Sequence, residues 1–174
     1  EPPVCGVGEP TYQDATKSLH PVTCLIWDEA TLYCEWIGGR LPTEAQWEKA
    51  ARGTEEYKYP WGTNFESSKC NSQEGSLDGP QPVGSYSPEG NSPFGLQDMA
   101  GNVWEWTRDW YDIEYYGRSP SENPGGPATG ERRSLRGGSW YANDCSVRTS
   151  YRYYDVPSGR SPGVGFRCVI LPSP

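Results

Sequence analysis

A chain of 174 residues with a net charge of −8, 8 Trp, 12 Tyr and 34% hydrophobic residues can bury one core, built mainly on large aromatic side chains. The aromatic content excludes an unfolded chain, and the acidic balance excludes a protein that holds nucleic acid through its phosphates. No apolar run approaches the ~20 residues of a membrane span, and 21 Gly with 17 Pro exclude long helices and bundles.

In chain order, Asp28 reads as an N-cap, with Glu29–Ile37 a short helix stopped at Gly38-Gly39, where a left-handed C-cap is sterically easy. Thr43-Glu44-Ala45-Gln46 reads as a capping box after Pro42. The helix it opens carries Glu48 and Arg52 at i,i+4 and closes at Gly53. Both helices are expected to pack Trp36, Trp47 and Ala50 against a sheet. From Thr54 to Gly95 turn signals dominate, as in Tyr59-Pro60-Trp61-Gly62 and Asp78-Gly79-Pro80. The strand-like segments are Pro82–Tyr86, Val103–Trp110, Ser134–Trp140, Ser146–Arg152 and Gly165–Leu171. No repeat of 20–50 residues is visible, which argues against a propeller or solenoid. The expected class is α+β, loop-rich, with short strands and two short helices.

Six cysteines, no Cys-x-x-Cys and a single histidine, His20, read as disulfides formed in an oxidising compartment rather than as zinc or redox motifs. One histidine cannot build an iron or catalytic zinc cluster, nor does it give Ser139 a general base with any support in the sequence.

Four segments together carry a resemblance. They are Asp98-Met99-Ala100-Gly101-Asn102-Val103-Trp104-Glu105-Trp106, Gly38 to Glu48, Arg136-Gly137-Gly138-Ser139-Trp140, and Gly165-Phe166-Arg167-Cys168. In these motifs the chain resembles the formylglycine-generating-enzyme (sulfatase-modifying factor) family. The resemblance covers about His20 to Val169 and implies a variant of the C-type-lectin-like fold. It divides the chain into an N-terminal segment, 1–19, and a domain, 20–174, whose upstream strand-rich part precedes the first residue given. As the only methionine is Met99, Glu1 is expected to have been exposed by signal removal or proteolysis, with the domain one part of a longer extracellular protein as a further reading.

The resemblance implies a Cys34–Cys168 disulfide; for the other four cysteines, Cys5–Cys24 and Cys70–Cys145 are preferred for locality, out of the 15 connectivities that six cysteines allow. It also implies a Ca²⁺ site, with side-chain oxygens from Asp98 and Glu105 and main-chain carbonyls from Gly101 and Val103. A second set, Asn71, the Ser72 carbonyl, Asp78 and a carbonyl close to Pro80, lies in a loop shorter than in the founding enzymes. Turn roles for Asn71 and Asp78 compete with it. The family's activity uses two cysteines four residues apart after the Gly-Gly-Ser-aromatic strand, and here Ser139 to Arg148 holds one, Cys145.

The segment from Tyr141 to Gly163 mixes Tyr, Ser, Asn and Asp, the composition of adaptable binding surfaces. Its candidate ligand residues are Tyr141, Asn143, Asp144, Ser146, Tyr153, Tyr154, Asp155 and Ser158, and the face resembles the variable face of diversified lectin-fold proteins. The expected function is a secreted, extracellular or periplasmic, calcium-stabilised recognition or structural module for a protein or glycan ligand. The alternative is an oxidase of the broader family.

Overall fold

The computed structural model describes residues 5, 11 and 14–170. Its elements are α1 (Trp27–Trp36), β1 (Gly39–Arg40), α2 (Glu44–Arg52), β2 (Trp104–Trp110), β3 (Arg133–Arg136), β4 (Tyr153–Asp155), β5 (Val164–Phe166) and β6 (Val169–Ile170), with single 3₁₀ turns between some of them. A four-stranded sheet runs β4-β3-β2-β5, with β2 and β5 parallel and the other pairs antiparallel, and β1 pairs β6 in a separate two-stranded sheet.

Strand β2 is the spine, because both of its faces are covered. Trp104 and Trp106 enter the main core with Leu135, Val164, Tyr59 and Leu41. On the alternate positions Glu105 accepts from Trp47 Nε1 at 2.6 Å, Thr107 Oγ1 donates to the Ser134 carbonyl, and Asp109 accepts from the Glu44 N–H at 2.8 Å. The Glu105 and Asp109 contacts hold α2 across the sheet, and the Thr107 contact ties β2 to β3. The capping box forms as the sequence predicts: Thr43 Oγ1 accepts from Gln46 N–H, Gln46 Oε1 accepts from Thr43 N–H, and Gly53 ends the helix with φ of 69°.

A buried ionic lattice reinforces this junction. Glu44, 1% exposed, accepts from Arg152 Nε at 2.6 Å and Nη2 at 2.9 Å, and from Ser134 Oγ at 3.1 Å. Arg136, fully buried, pairs with Glu48 and donates to the carbonyls of Tyr151 and Thr149.

Several expectations are corrected. Helix α1 begins at Trp27 with Ile26 as its cap, because Glu29 reaches back to the Ile26 N–H; Asp28 lies inside the helix. Trp36 is 80% exposed and packs on no sheet. Pro82–Tyr86 and Ser146–Arg152 are turns closed locally by Ser85 N–H to Pro82 O and Tyr151 N–H to Arg148 O, and the strand falls later, at β4. Strand β3 stops at Arg136 instead of reaching Trp140, since Gly138 takes φ of 80° and a Cβ there would lie 2.6 Å from Val147 Cγ1. Leu171 lies outside the described residues.

Cys5–Cys24 and Cys34–Cys168 are disulfides, whereas Cys70 and Cys145 are free thiols. The expected third bridge is absent because Cys70 points into the core while Cys145 stands exposed in a turn. Burial pushes the Cys70 thiol up to about 11, which keeps it protonated and unreactive at neutral pH.

Two outcomes follow. Burial raises the Asp109 carboxyl from 3.8 to about 6. The unfolded chain therefore releases this proton first, and between about pH 4 and 6 Asp109 lowers stability as pH rises, by on the order of 3 kcal/mol. Urea unfolding from pH 4 to 6.5 should show this decline in the wild type minus Asp109→Asn difference, and a flat difference would refute it. Cys168→Ala should cost on the order of 2–5 kcal/mol, or prevent folding, by the same measurement.

Candidate functional site

The turn from Asp98 to Val103 is built on left-handed residues, with φ of 55° at Asp98, 74° at Gly101 and 66° at Asn102. A side chain at Gly101 would collide with the Asn71 carbonyl, so only glycine lets these two segments run side by side. Asn102 pins the approach from its own side chain: Oδ1 accepts from Gln81 N–H and Asn71 Nδ2, and Nδ2 donates to the Gln81 carbonyl.

Asp98, Gly101, Val103 and Glu105, the first set of predicted calcium ligands, line one cavity of about 390 Å³. Asp98 Oδ2 accepts from Gly84 N–H at 2.8 Å, and burial raises its carboxyl above the ordinary value. Among the described residues no hydrogen bond reaches the Gly101 or Val103 carbonyl. Two free carbonyls and two carboxylates are the hard oxygen donors a calcium ion takes. One feature was not foreseen: Arg167 enters the same cavity. Its Nε donates to Glu105 Oε2 at 2.5 Å, and its Nη2 donates to Glu105 Oε1 at 2.6 Å and to the Gln97 and Asp98 carbonyls. The guanidinium therefore occupies both oxygens of Glu105, and a metal ion would have to share the cavity with a fixed positive charge.

The second set is brought together less completely. Asn71 is fully buried; its Nδ2 donates to the Gly79 carbonyl at 3.0 Å, and its Oδ1 has no partner. The Ser72 carbonyl closes a 3₁₀ turn by accepting from Gly75 N–H, and Asp78 is exposed. Among the described residues no group of three or more His, Cys, Asp or Glu side chains is placed to hold a metal.

A second cleft, of about 270 Å³, lies where β2 and β4 meet the loop after β3; Gln73, Trp104, Tyr141, Asn143, Ser146, Tyr151 and Tyr153 all line it. Trp104 stacks on Tyr153 with ring centroids 5.0 Å apart, and Tyr153 stacks on Tyr154 at 5.5 Å. The stack continues through Tyr111, with Arg132 laid over the Tyr154 ring. Tyr141 and Tyr153 are each 45% exposed, and Trp140 meets Tyr141 edge to face.

Of the predicted ligand residues, Tyr141, Asn143, Ser146 and Tyr153 converge on this cleft. Asp144 sits beside it, its N–H bound to Glu74. Tyr154 lies deeper in the ring stack, Asp155 caps the Val156 N–H, and Ser158 is exposed in the following turn. Sequence reasoning missed Trp104 and Gln73. Trp104 shares a strand face with the fully buried Trp106, and only its place at the strand's first position leaves it at a rim.

The Sulfatase-modifying factor enzyme 1-like domain model matches residues 6–171. The formylglycine-generating enzyme of Streptomyces coelicolor is 43% identical over 166 residues, which are 86% of this chain and 52% of that protein. The serine/threonine-protein kinase pkn1 of Chlamydia pneumoniae is 43% identical over 163 residues, 92% of this chain and 25% of that one. The chain thus spans about half the length of the first relative and a quarter of the second. Among solved structures, Treponema denticola variable protein 1 superposes with a TM-score of 0.79 at 25% identity, covering 95% of this chain and 76% of that chain.

Glu105→Gln removes the counter-charge of Arg167 and should destabilise the fold by about 3–5 kcal/mol in metal-free buffer. A loss below about 1 kcal/mol by urea unfolding would show that the pair does not hold this turn.

Proposed function

Because the chain belongs to the sulfatase-modifying factor enzyme 1-like family, we propose that it is a secreted recognition module, part of a larger extracellular protein, that binds a protein or glycan ligand in the aromatic cleft. The observation that carries this reading is the stack of Trp104 on Tyr153, whose partly open ring lies beside Tyr141 and is rimmed by the amides of Gln73 and Asn143 and the hydroxyl of Ser146. Rigid aromatic rings offer contact area at low entropic cost, and amides and hydroxyls at the rim supply directional hydrogen bonds. The likeness to Treponema denticola variable protein 1, itself named for variability, supports a recognition role on this scaffold. The two disulfides fit an oxidising compartment.

A calcium ion completes the reading at the cavity of Asp98, Gly101, Val103 and Glu105. When bound, it would supply positive charge to the incompletely neutralised Asp98 and a shared ligand for the two free carbonyls. The chain's own residues already hold the turn: Gly84 N–H fixes Asp98, and Arg167 fixes Glu105. The ion therefore adds to an existing lock.

A second reading, an oxidase, draws on the 43% identity to a formylglycine-generating enzyme and on the exposed free thiol of Cys145 next to the cleft residue Ser146. The other free thiol, Cys70, is buried and held protonated, which weighs against a two-thiol site.

The tests are separate. Glycan and peptide arrays probed with the wild type and with Tyr141→Ala/Tyr153→Ala should show ligands that lose at least about tenfold in affinity in the variant; equal binding by both proteins would overturn the cleft. Calcium chloride added to chelator-treated protein should raise Tm by about 3 °C or more, a response absent from Asp98→Ala. A flat response in the wild type removes the ion. Formylglycine formed on a sulfatase-derived peptide would overturn the non-catalytic reading.

A further inference from the structure

Arg40, Lys49 and Arg108 differ from the other basic side chains of this chain. Elsewhere, lysines and arginines face a carboxylate or lie over an aromatic ring. Among the described residues these three form no salt bridge and cover no aromatic ring, Arg108 meeting the adjacent Asp109 only through longer-range charge, and all three line one cavity of about 810 Å³. They arrive there from three separate elements: Arg40 from β1, Lys49 from the exposed face of α2, and Arg108 from the one solvent-facing position of the buried strand β2. The loop containing Ser121, Asn123 and Pro124 forms another wall, close enough that a Cβ on Gly125 would lie 3.6 Å from Arg108 Nη2.

No carboxylate lines this cavity; Glu122 stands between Ser121 and Asn123 but is not part of the lining. In the first turn of α2 the Glu44 and Gln46 N–H groups are already taken by Asp109 and Thr43 Oγ1, so most of the positive potential comes from the side chains themselves. In a protein of net charge −8, three cations gathered on a cavity with no carboxylate in its lining make that cavity locally positive, and an anion placed among them is attracted. Guanidinium groups meet oxyanions in planar, two-point geometry. Thr43 and Gln46 add neutral polar groups, and the apolar part of the lining is Ala45, Ala50, Leu96 and Phe94, the last 55% exposed.

We propose that this cavity is a binding site for an organic oxyanion, a phosphate, sulfate or carboxylate group joined to a ring-bearing apolar body. Arg40, Lys49 and Arg108 receive the charged group, and Phe94 with Leu96 receives the ring. The site shares no lining residue with the aromatic cleft, so it stands independently of the recognition reading.

Isothermal titration of the full chain with phenyl phosphate, phenyl sulfate, benzoate and inorganic phosphate tests the assignment. At least one of the three ring-bearing probes should bind with one-to-one stoichiometry and tighter than inorganic phosphate, with affinity falling as salt is raised. Arg40→Gln and Arg108→Gln should each weaken that probe by roughly tenfold, and Phe94→Ala should bring it to the affinity of inorganic phosphate. All three side chains reach the surface or its edge, and unchanged Tm values will show that the variants remain folded. Absence of saturable binding by all four probes, binding indifferent to both arginine substitutions, or binding indifferent to Phe94→Ala would each overturn the proposal.

Discussion

The fold depends on a pair of carboxylates, one buried and one half-buried, that α2 carries into the sheet. Glu44 and Glu48 sit one turn apart on the helix, and between them they neutralise Arg152, Arg136 and Arg52. An arginine buried without its partner would be costly, so α2 cannot leave the sheet without exposing several uncompensated charges at once. Arg136 extends the constraint to the chain beyond β3, because its terminal nitrogens also hold the carbonyls of Thr149 and Tyr151. Those two bonds position the segment that delivers Tyr151 and Tyr153 to the cleft, so the orientation of the proposed binding face is set from within the core.

Much of this was legible in the residues, and the parts that were not have physical reasons. The capping box at Thr43 and the β2 strand could be read because each rests on local chemistry: a cap satisfied by its own helix, and an aromatic alternation that burial demands. The turn from Asp98 to Val103 was legible through the family resemblance, since its left-handed Gly101 is imposed by a neighbouring backbone. What failed depended on distant partners. The strand expected at Ser146–Arg152 lies a few residues later because Arg136, on the neighbouring strand β3, ties the Thr149 and Tyr151 carbonyls down. Trp36 has the composition of a core residue, yet nothing in its own helix reports which face the sheet will cover.

The cavity of the predicted calcium ligands shows the same limit. Its four expected oxygen donors are close in sequence and do share one space, whereas Arg167 comes from the far end of the chain and changes that space's electrostatics. Trp104 likewise joins the aromatic cleft only because a loop from after β3 and a strand after that are folded over it. Pairings within a motif could be read in advance, and those between motifs required the packed structure.

The Cys34–Cys168 bridge spans a sequence separation of 134 and encloses α2, β1 to β5 and every long loop between them. A protease that cuts any one of those loops does not release a fragment, because both products stay joined through the bridge as well as through the sheet. Nicked molecules of this kind keep the mass of the intact chain plus one water until they are reduced. On a surface exposed to secreted proteases, such a domain could age by accumulating internal cuts while remaining in one piece.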